Sequence, residues 1–106
     1  GSLLKARSTY QKALEIDSEF ATGYYNLGIT LKAMGQFGEA IAAYEKAIQL
    51  NPDYAQAYQN LGVVLLKIGK VSEGLAAFQQ AIALYELTAP TIAKQLYQRL
   101  QEMGFQ

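Results

Sequence analysis

The sequence repeats itself with a period of 34 residues, and this period restricts the possible folds more than any other feature. Tyr24, Leu27 and Gly28 recur as Tyr58, Leu61 and Gly62. The same shift places Asn26, Leu31, Gly35, Glu39, Ala43, Ala47, Ile48 and Leu50 on Asn60, Leu65, Gly69, Glu73, Ala77, Ala81, Ile82 and Leu84. A fixed period of about 20 to 50 residues is typical of architectures that stack one supersecondary unit on the next.

Each repeat unit is predicted to contain two helices. Apolar residues three and four positions apart between residues 24 and 34 indicate one buried helical face. Gly35 then ends the first helix, and Pro52 closes a second helix over residues 38–50. Asp53 is expected to cap the next helix, with helices predicted to run to residue 68 and then over 72–84. No useful length of sequence alternates with the period of two that strands require.

Two glycines within predicted helices suggest close helix packing. Glycine in a helix interior is less stable than alanine by about 1 kcal/mol, so Gly28 and Gly62 need a reason to be there. We expect the second helix of each unit to approach them too closely for a side chain. The facing residues are predicted to be Ala40, Ala47, Gly74 and Ala81.

The repeated residues resemble the tetratricopeptide repeat family. One full unit supplies Tyr24, Leu27, Gly28, Leu31, Ala40, Tyr44, Ala47 and Pro52 at the family's signature spacing. The next unit follows the pattern except that Glu86 replaces the closing proline. The resemblance implies an all-α, right-handed superhelical solenoid of antiparallel helix pairs, with about six helices and a concave groove lined by the first helix of each pair.

The resemblance divides the chain into five parts. Residues 1–2 look like a cloning scar, and residues 3–20 look like the second helix of a truncated unit, although Arg7 is unusual where later units have Ile41 and Leu75. Complete units are expected over 21–54 and 55–88. Residues 89–106 are expected to form a capping helix, since Tyr97 occupies the position of the packing glycine. Beginning within a helix pair suggests a piece excised from a longer array.

The family geometry implies which side chains line the groove. The groove residues that we predict are Tyr25, Asn26, Ile29, Lys32, Gln56, Asn60, Val63, Lys67, Lys94 and Gln95. Asn26 and Asn60 lie one repeat apart, and their amides both donate and accept hydrogen bonds, so they could read the backbone of an extended peptide. The alternative is that asparagine only supports the helix pair. Lys32 and Lys67 could attract acidic peptides or simply be solvated.

The aromatic residues divide between the core and the groove. Framework positions hold Tyr10, Tyr24, Tyr44, Tyr58 and Phe78, which we expect in the core, whereas Tyr25 departs from that stripe. Chaperone-binding members of the family clamp a terminal carboxylate with basic residues and asparagines. Here Tyr25, Ile29, Thr91 and Gln95 stand at positions of that clamp, so capture of a free acidic C-terminus is not expected.

Composition argues against several functions. The 9 basic and 9 acidic residues balance, which removes the positive charge expected for binding nucleic acid. The chain has no histidine or cysteine, so the commonest general base and metal ligands are missing. Serines therefore lack an activating histidine, and Asp17 and Glu19 are expected in a turn with no cause for a raised pKa. We predict no catalytic residues, no metal and no cofactor.

The sequence therefore predicts a protein–protein interaction scaffold that binds a partner protein or an extended peptide in its concave groove. No apolar run approaches the length of about 20 residues that crosses a bilayer, so we expect no membrane insertion and a cytoplasmic location. The alternative is an assembly module that packs against copies of itself or other domains of a longer parent protein. In that case a homo-oligomer would form through the open N-terminal helix, which carries Leu3, Leu4 and Tyr10.

Overall fold

A computed structural model of the chain describes residues 1–16 and 20–105. Within that part of the chain there are six helices and no strands: α1 (Ser2–Ile16), α2 (Ala21–Ala33), α3 (Phe37–Leu50), α4 (Ala55–Lys67), α5 (Val71–Thr88) and α6 (Pro90–Glu102). The all-α repeat fold predicted from the 34-residue period is confirmed. Asp17 and Glu19, which were predicted to lie in a turn, fall outside the described residues.

The helices pack in sequential order along the array. The most extensive contacts join α2 to α3 and α4 to α5, which are the two predicted helix pairs. Neighbouring layers meet where α1 packs on α2, α3 on α4 and α5 on α6. One core cluster extends from α1 to α5 and includes fully buried Tyr44 and Val64. A second cluster joins α4, α5 and α6 around Phe78 and Leu96.

Glycine ends the first helix of each pair, as predicted. Gly35 and Gly69 have φ angles of 77° and 84°, a left-handed conformation that other residues rarely adopt. The backbone N–H after each glycine then donates to a carbonyl of the last helical turn, from Gln36 to Leu31 and from Lys70 to Leu65, both at 2.9 Å. Each helix pair is thereby closed by the same tight turn.

The predicted cap at Asp53 is wrong. The residue preceding α4 is Tyr54, which makes no side-chain capping hydrogen bond. Asp53 instead donates its backbone N–H to Oδ1 of Asn51 at 3.2 Å. The turn around Pro52 is therefore organised by Asn51. Asp53 contacts the first turn of α4 through its backbone oxygen, which accepts a hydrogen bond of 3.0 Å from the N–H of Ala55.

Close packing at the two helical glycines is confirmed, although aromatic rings are the nearest neighbours. A Cβ atom on Gly28 would lie 2.6 Å from the ring of Tyr44. On Gly62 it would lie 2.7 Å from the ring of Phe78 and 3.0 Å from the carbonyl oxygen of Gly74. The small residues Ala40, Ala47 and Ala81 are fully buried in the same helix pairs. Each glycine therefore makes room for the aromatic ring of its partner helix.

The ends of the array depart from the regular repeat. Without a proline at position 86, α5 continues to Thr88, four residues past the predicted end at Leu84. Pro90 then opens α6, where its missing N–H costs nothing. Tyr97 is half exposed on α6, where none of the described helices packs over its ring. Arg7 of α1 donates a hydrogen bond of 3.3 Å to Oε1 of Gln36, which accounts for an arginine where later units carry apolar residues.

Candidate functional site

Asn60 lies at the centre of a hydrogen-bond cluster that joins α2 to α4. Its Oδ1 accepts a hydrogen bond of 2.8 Å from Nζ of Lys32. Its Nδ2 donates to the hydroxyl of Tyr25 and to the backbone oxygen of Gln56, both at 3.0 Å. A side-chain amide has two N–H donors and two acceptor lone pairs, so only one acceptor position of Asn60 is unused in this cluster. The residue supports the interface between units and has one remaining site for a ligand's donor.

Tyr25 is half-buried against two other tyrosines. Its ring centroid lies 4.9 Å from that of Tyr54 and 6.0 Å from that of Tyr44. Burial raises the pKa of Tyr25, nearby Tyr54 and Tyr85 raise it further, and the hydrogen bond from Asn60 acts in the opposite direction. The hydroxyl therefore keeps its proton at neutral pH. Since its oxygen accepts from Asn60, the proton can be donated outward.

Two lysines form a basic edge beside this cluster. Burial lowers the pKa of Lys32, and the positive charge of Lys67 lowers it further. Lys67 also lies over the ring of Phe37, with its Nζ 5.7 Å from the ring centroid. Both lysines belong to the last turn of their helices, where a cation is favoured by the helix dipole. The cluster therefore combines an amide, a phenol and two amines.

The other predicted residues of α2 and α4 lie around the cluster. Ile29 and Val63 are half-buried and pack against the first and second cores respectively. Asn26 is half-buried, and its backbone oxygen accepts a hydrogen bond of 3.1 Å from Oγ1 of Thr30. Gln56 is exposed and takes part through its backbone oxygen.

The residues predicted on α6 lie apart from the cluster. Lys94 and Gln95 are exposed, and Gln95 borders a shallow cleft with Gln98, Arg99 and Glu102. Among the described helices, α6 packs against α5 and makes no comparable contact with α4. The structure thus brings Tyr25, Lys32 and Asn60 together and leaves the α6 residues as a separate patch.

Sequence reasoning missed two parts of this surface. Tyr54, in the turn before α4, stacks on Tyr25. Tyr85 donates its hydroxyl hydrogen to Oε1 of Gln59 at 3.0 Å. The position of Gln59 could have been inferred, because Gln59 lies one repeat after Tyr25 and so occupies the corresponding position of α4. The contact of Tyr54 with Tyr25 depends on a turn conformation that the repeat pattern does not encode.

The described residues carry no constellation that indicates metal chemistry or membrane spanning. No three acidic side chains among them converge on one point as metal ligands would. None of the described helices combines the length and apolar character needed to cross a bilayer.

Comparison with known families agrees with the repeat pattern. The family described as "TPR repeat" matches residues 1–35 and 30–69, and the family described as "Tetratricopeptide repeat" matches residues 55–89. Together these matches cover most of the chain. The family typically consists of non-enzymatic modules for protein–protein interaction.

Solved structures show the same fold. A crystal structure of MamA is 31% identical with a TM-score of 0.81, over 84% of this chain and 52% of MamA. The translocator chaperone SycD from Yersinia enterocolitica is 19% identical with a TM-score of 0.89, over 98% of this chain and 73% of SycD. The TPR2B domain of yeast Sti1, in a complex with pHsp70, is 24% identical with a TM-score of 0.83, over 96% and 85%. The chain spans about half the length of MamA. No curated protein sequence gave a significant match.

Proposed function

Because the chain belongs to the tetratricopeptide repeat family, we propose that it is a scaffold that holds an extended segment of a partner protein in its concave groove. The groove face comprises Tyr25, Asn26, Ile29, Lys32, Gln56, Asn60, Val63 and Lys67, while Lys94 and Gln95 lie on a separate patch of α6. The observation that carries the proposal is the cluster of Tyr25, Lys32 and Asn60, which presents oriented polar groups beside apolar surface.

The polar groups of the cluster suit a peptide backbone. Tyr25 and Lys32 have protons left to donate to backbone carbonyls, and Asn60 has one acceptor position for a backbone N–H. Asn26 places a second amide one repeat earlier, which completes a short asparagine ladder. Each such hydrogen bond contributes about 0.5–1.5 kcal/mol, so we expect weak, micromolar-class binding with loose sequence preference.

Apolar contact supplies the rest of the interaction. Ile29 and Val63 are half-buried on the same two helices, so a partner side chain can cover what remains exposed. The same fold forms a complex with pHsp70 in yeast Sti1 and belongs to a chaperone in SycD, which supports protein partners in general.

A binding titration tests the proposal. The combined variant Asn26→Ala with Tyr25→Phe removes two backbone-reading groups while keeping the aromatic ring. We expect it to weaken the dissociation constant of a partner isolated with the wild-type protein by about tenfold. The matched control Gln79→Ala removes an exposed amide from α5 and should leave the affinity unchanged. Equal affinity of all three proteins would exclude the groove as the binding surface.

Self-assembly is a second candidate function, favoured by apolar residues on α1. Leu3 and Leu4 are 41% and 51% exposed, and Tyr10 and Ala13 on the same helix are half-buried. A second copy could cover this face and remove its apolar area from water. Light scattering at increasing protein concentration would then show a dimer or longer assembly, and Leu3→Lys with Leu4→Lys would abolish it. A monomer at all concentrations would eliminate this candidate.

A further inference from the structure

An apolar pocket lies between α4 and α6, beside the proposed groove. It has a volume of about 260 Å³, and its apolar wall consists of Val63, Leu66, Phe78, Leu96, Leu100 and Met103. Phe78, Leu96 and Leu100 are nearly inaccessible and form the floor, whereas Met103 is half exposed at the rim. Gln59 and Arg99 supply the polar part of the rim. The pocket is large enough for one apolar side chain of a partner.

The corresponding space between α2 and α4 is filled by the protein itself. One repeat earlier, Gln59 is replaced by Tyr25, whose ring packs beside Tyr44 and Tyr54. Allowing for the one-residue register slip of α6, Arg99 stands where α4 has the fully buried Val64. Gln59 is shorter than tyrosine and is hydrogen-bonded to Tyr85, so it leaves the space open. The interfaces also differ at Val63 and Leu66, which replace Ile29 and Lys32. Of these differences, the short Gln59 in place of a tyrosine ring contributes most directly to the pocket.

Charge is unevenly distributed around the pocket even though the chain is neutral overall. The helices α2, α4 and α6 carry Lys32, Lys67, Lys94 and Arg99, with Glu102 as their acidic residue. The helices α3 and α5 carry Glu39, Glu45, Glu73 and Glu86, with Lys46 as their basic residue. Glu45 and Glu73 border a shallow cleft on the face of α4 that carries Tyr58, Leu61 and Leu65, and this is not the face that carries Val63 and Leu66. Glu39 borders the equivalent cleft on α2. The pocket therefore opens on the basic side of the molecule.

We propose that this pocket binds one large apolar side chain of the partner segment, with a carboxylate of an adjacent residue paired to Arg99. The inference rests on the proposed groove binding and assigns its partner class: an internal acidic segment with an apolar anchor. The N-terminal helix of a second copy is a poorer occupant, because its exposed Leu3 and Leu4 are followed by Lys5 and Arg7, whose charges would repel Arg99. A second copy also carries exposed Leu87 beside Glu86, and the dependence of the methyl signals on protein concentration distinguishes that copy from the partner segment.

The test uses capped octapeptides and methyl-detected NMR. The probe is Ac-GSDFDSGS-NH2, and matched peptides replace both aspartates with asparagine, or phenylalanine with serine. We expect the probe to shift the methyl signals of Val63, Leu66, Leu96 and Met103 with a dissociation constant below about 1 mM. Either replacement should weaken binding about fivefold or more. Equal binding of the asparagine peptide would overturn the role of charge, and no shift with any peptide would overturn the inference.

Two pairs of variants locate the binding. Gln59→Tyr introduces the ring that closes the equivalent space and should abolish the shifts, while Gln80→Tyr, on another face, should not. Arg99→Gln should weaken binding about fivefold, while Lys12→Gln makes the same charge change on α1 and should have no effect. Because Glu102 borders Arg99 in the adjoining cleft, Glu102→Gln should strengthen binding. Leu66→Lys provides a second blocking variant if Gln59→Tyr disturbs the contact with Tyr85.

The outcomes separate this inference from the proposed function. If the peptides shift the methyl signals of Ile29 but not those of the pocket, the groove proposal is supported and the pocket assignment is wrong. If the pocket methyls shift with protein concentration alone, a second copy occupies the pocket and the acidic-segment assignment is wrong. Partner binding that Asn26→Ala with Tyr25→Phe leaves unchanged would remove the groove proposal, whereas peptide shifts of the pocket methyls would still support the pocket's preference for an acidic segment with an apolar anchor.

Discussion

At the scale of single residues, the two central aromatics of the helix pairs differ by one hydroxyl group. Tyr44 and Phe78 occupy equivalent repeat positions, and both rings fill the space left by a helical glycine. The hydroxyl of Tyr44 is buried and has no hydrogen-bond partner among the described residues. Burial raises the pKa of Tyr44, so the group stays neutral, but an unpaired buried hydroxyl still opposes folding.

Tyr44→Phe should therefore leave stability unchanged or increase the free energy of unfolding by about 1 kcal/mol. The substitution copies the residue found at position 78, so the packing against Gly28 is retained. Urea unfolding followed by circular dichroism measures the difference. A loss of more than about 1 kcal/mol would mean that the hydroxyl does have a partner.

Gly28→Ala should destabilise the protein, although alanine is the better helix former. The new Cβ would lie 2.6 Å from the ring of Tyr44, which is fully buried and has nowhere to move. We expect a loss of about 1–3 kcal/mol from overpacking. Gly38→Ala in α3 is the control, because its Cβ would meet nothing within 4 Å and should be neutral or stabilising. An increased melting temperature for Gly28→Ala would refute the packing argument.

At the scale of helices, Asn60 connects consecutive units through bonds to Lys32 and Tyr25. Asn60→Ala should lower the free energy of unfolding by about 1–3 kcal/mol, because it leaves partly buried partners without their hydrogen bonds. Gln56→Ala, one turn earlier, keeps the backbone oxygen that Asn60 uses and should be nearly neutral. Combining Asn60→Ala with Lys32→Met should give a smaller loss than the two single losses added together. Additive losses would show that the Lys32–Asn60 bond contributes nothing to stability.

The repeat pattern predicts the helices well because packing recurs at every unit. Gly28 and Gly62 each pack against the aromatic ring of the partner helix, so the 34-residue period predicts the same contact in both units. The pattern predicts less where a residue's partners lie in another unit. The sequence left open whether Asn60 reads a peptide backbone or supports the helix pair, and both of its N–H groups are used within the protein. Asn60 bonds to Lys32, which is 28 residues away in the sequence, and to Tyr25, which is 35 residues away. Local periodicity does not reveal which of these distant side chains meet. The length of α5 was also missed, because Glu86 permits a helix that proline would have ended.

At the scale of the whole molecule, the resemblance to chaperone-binding members predicts that the proposed groove does not clamp a chain terminus. Tyr25 and Ile29 stand where a lysine and an asparagine would be required, and Tyr25 is already bonded to Asn60. We therefore expect a pentapeptide with an acidic free C-terminus to bind no better than the same peptide with an amidated C-terminus. Isothermal titration of both peptides measures this. Micromolar binding that amidation abolishes would show that the groove does capture a terminal carboxylate.

The groove proposal is tested most directly by photo-cross-linking from single positions. A photoreactive benzoyl-phenylalanine at Ile29 lies on the proposed groove face, whereas one at Gln80 lies in a cleft on another face of the array. Both proteins are irradiated in an extract of the cells that produce the chain, and the cross-linked peptides are identified by mass spectrometry. The groove proposal predicts that position 29 captures one extended segment of a partner protein and that position 80 does not. Capture of the same segment from position 80 alone would place the binding surface elsewhere and contradict it.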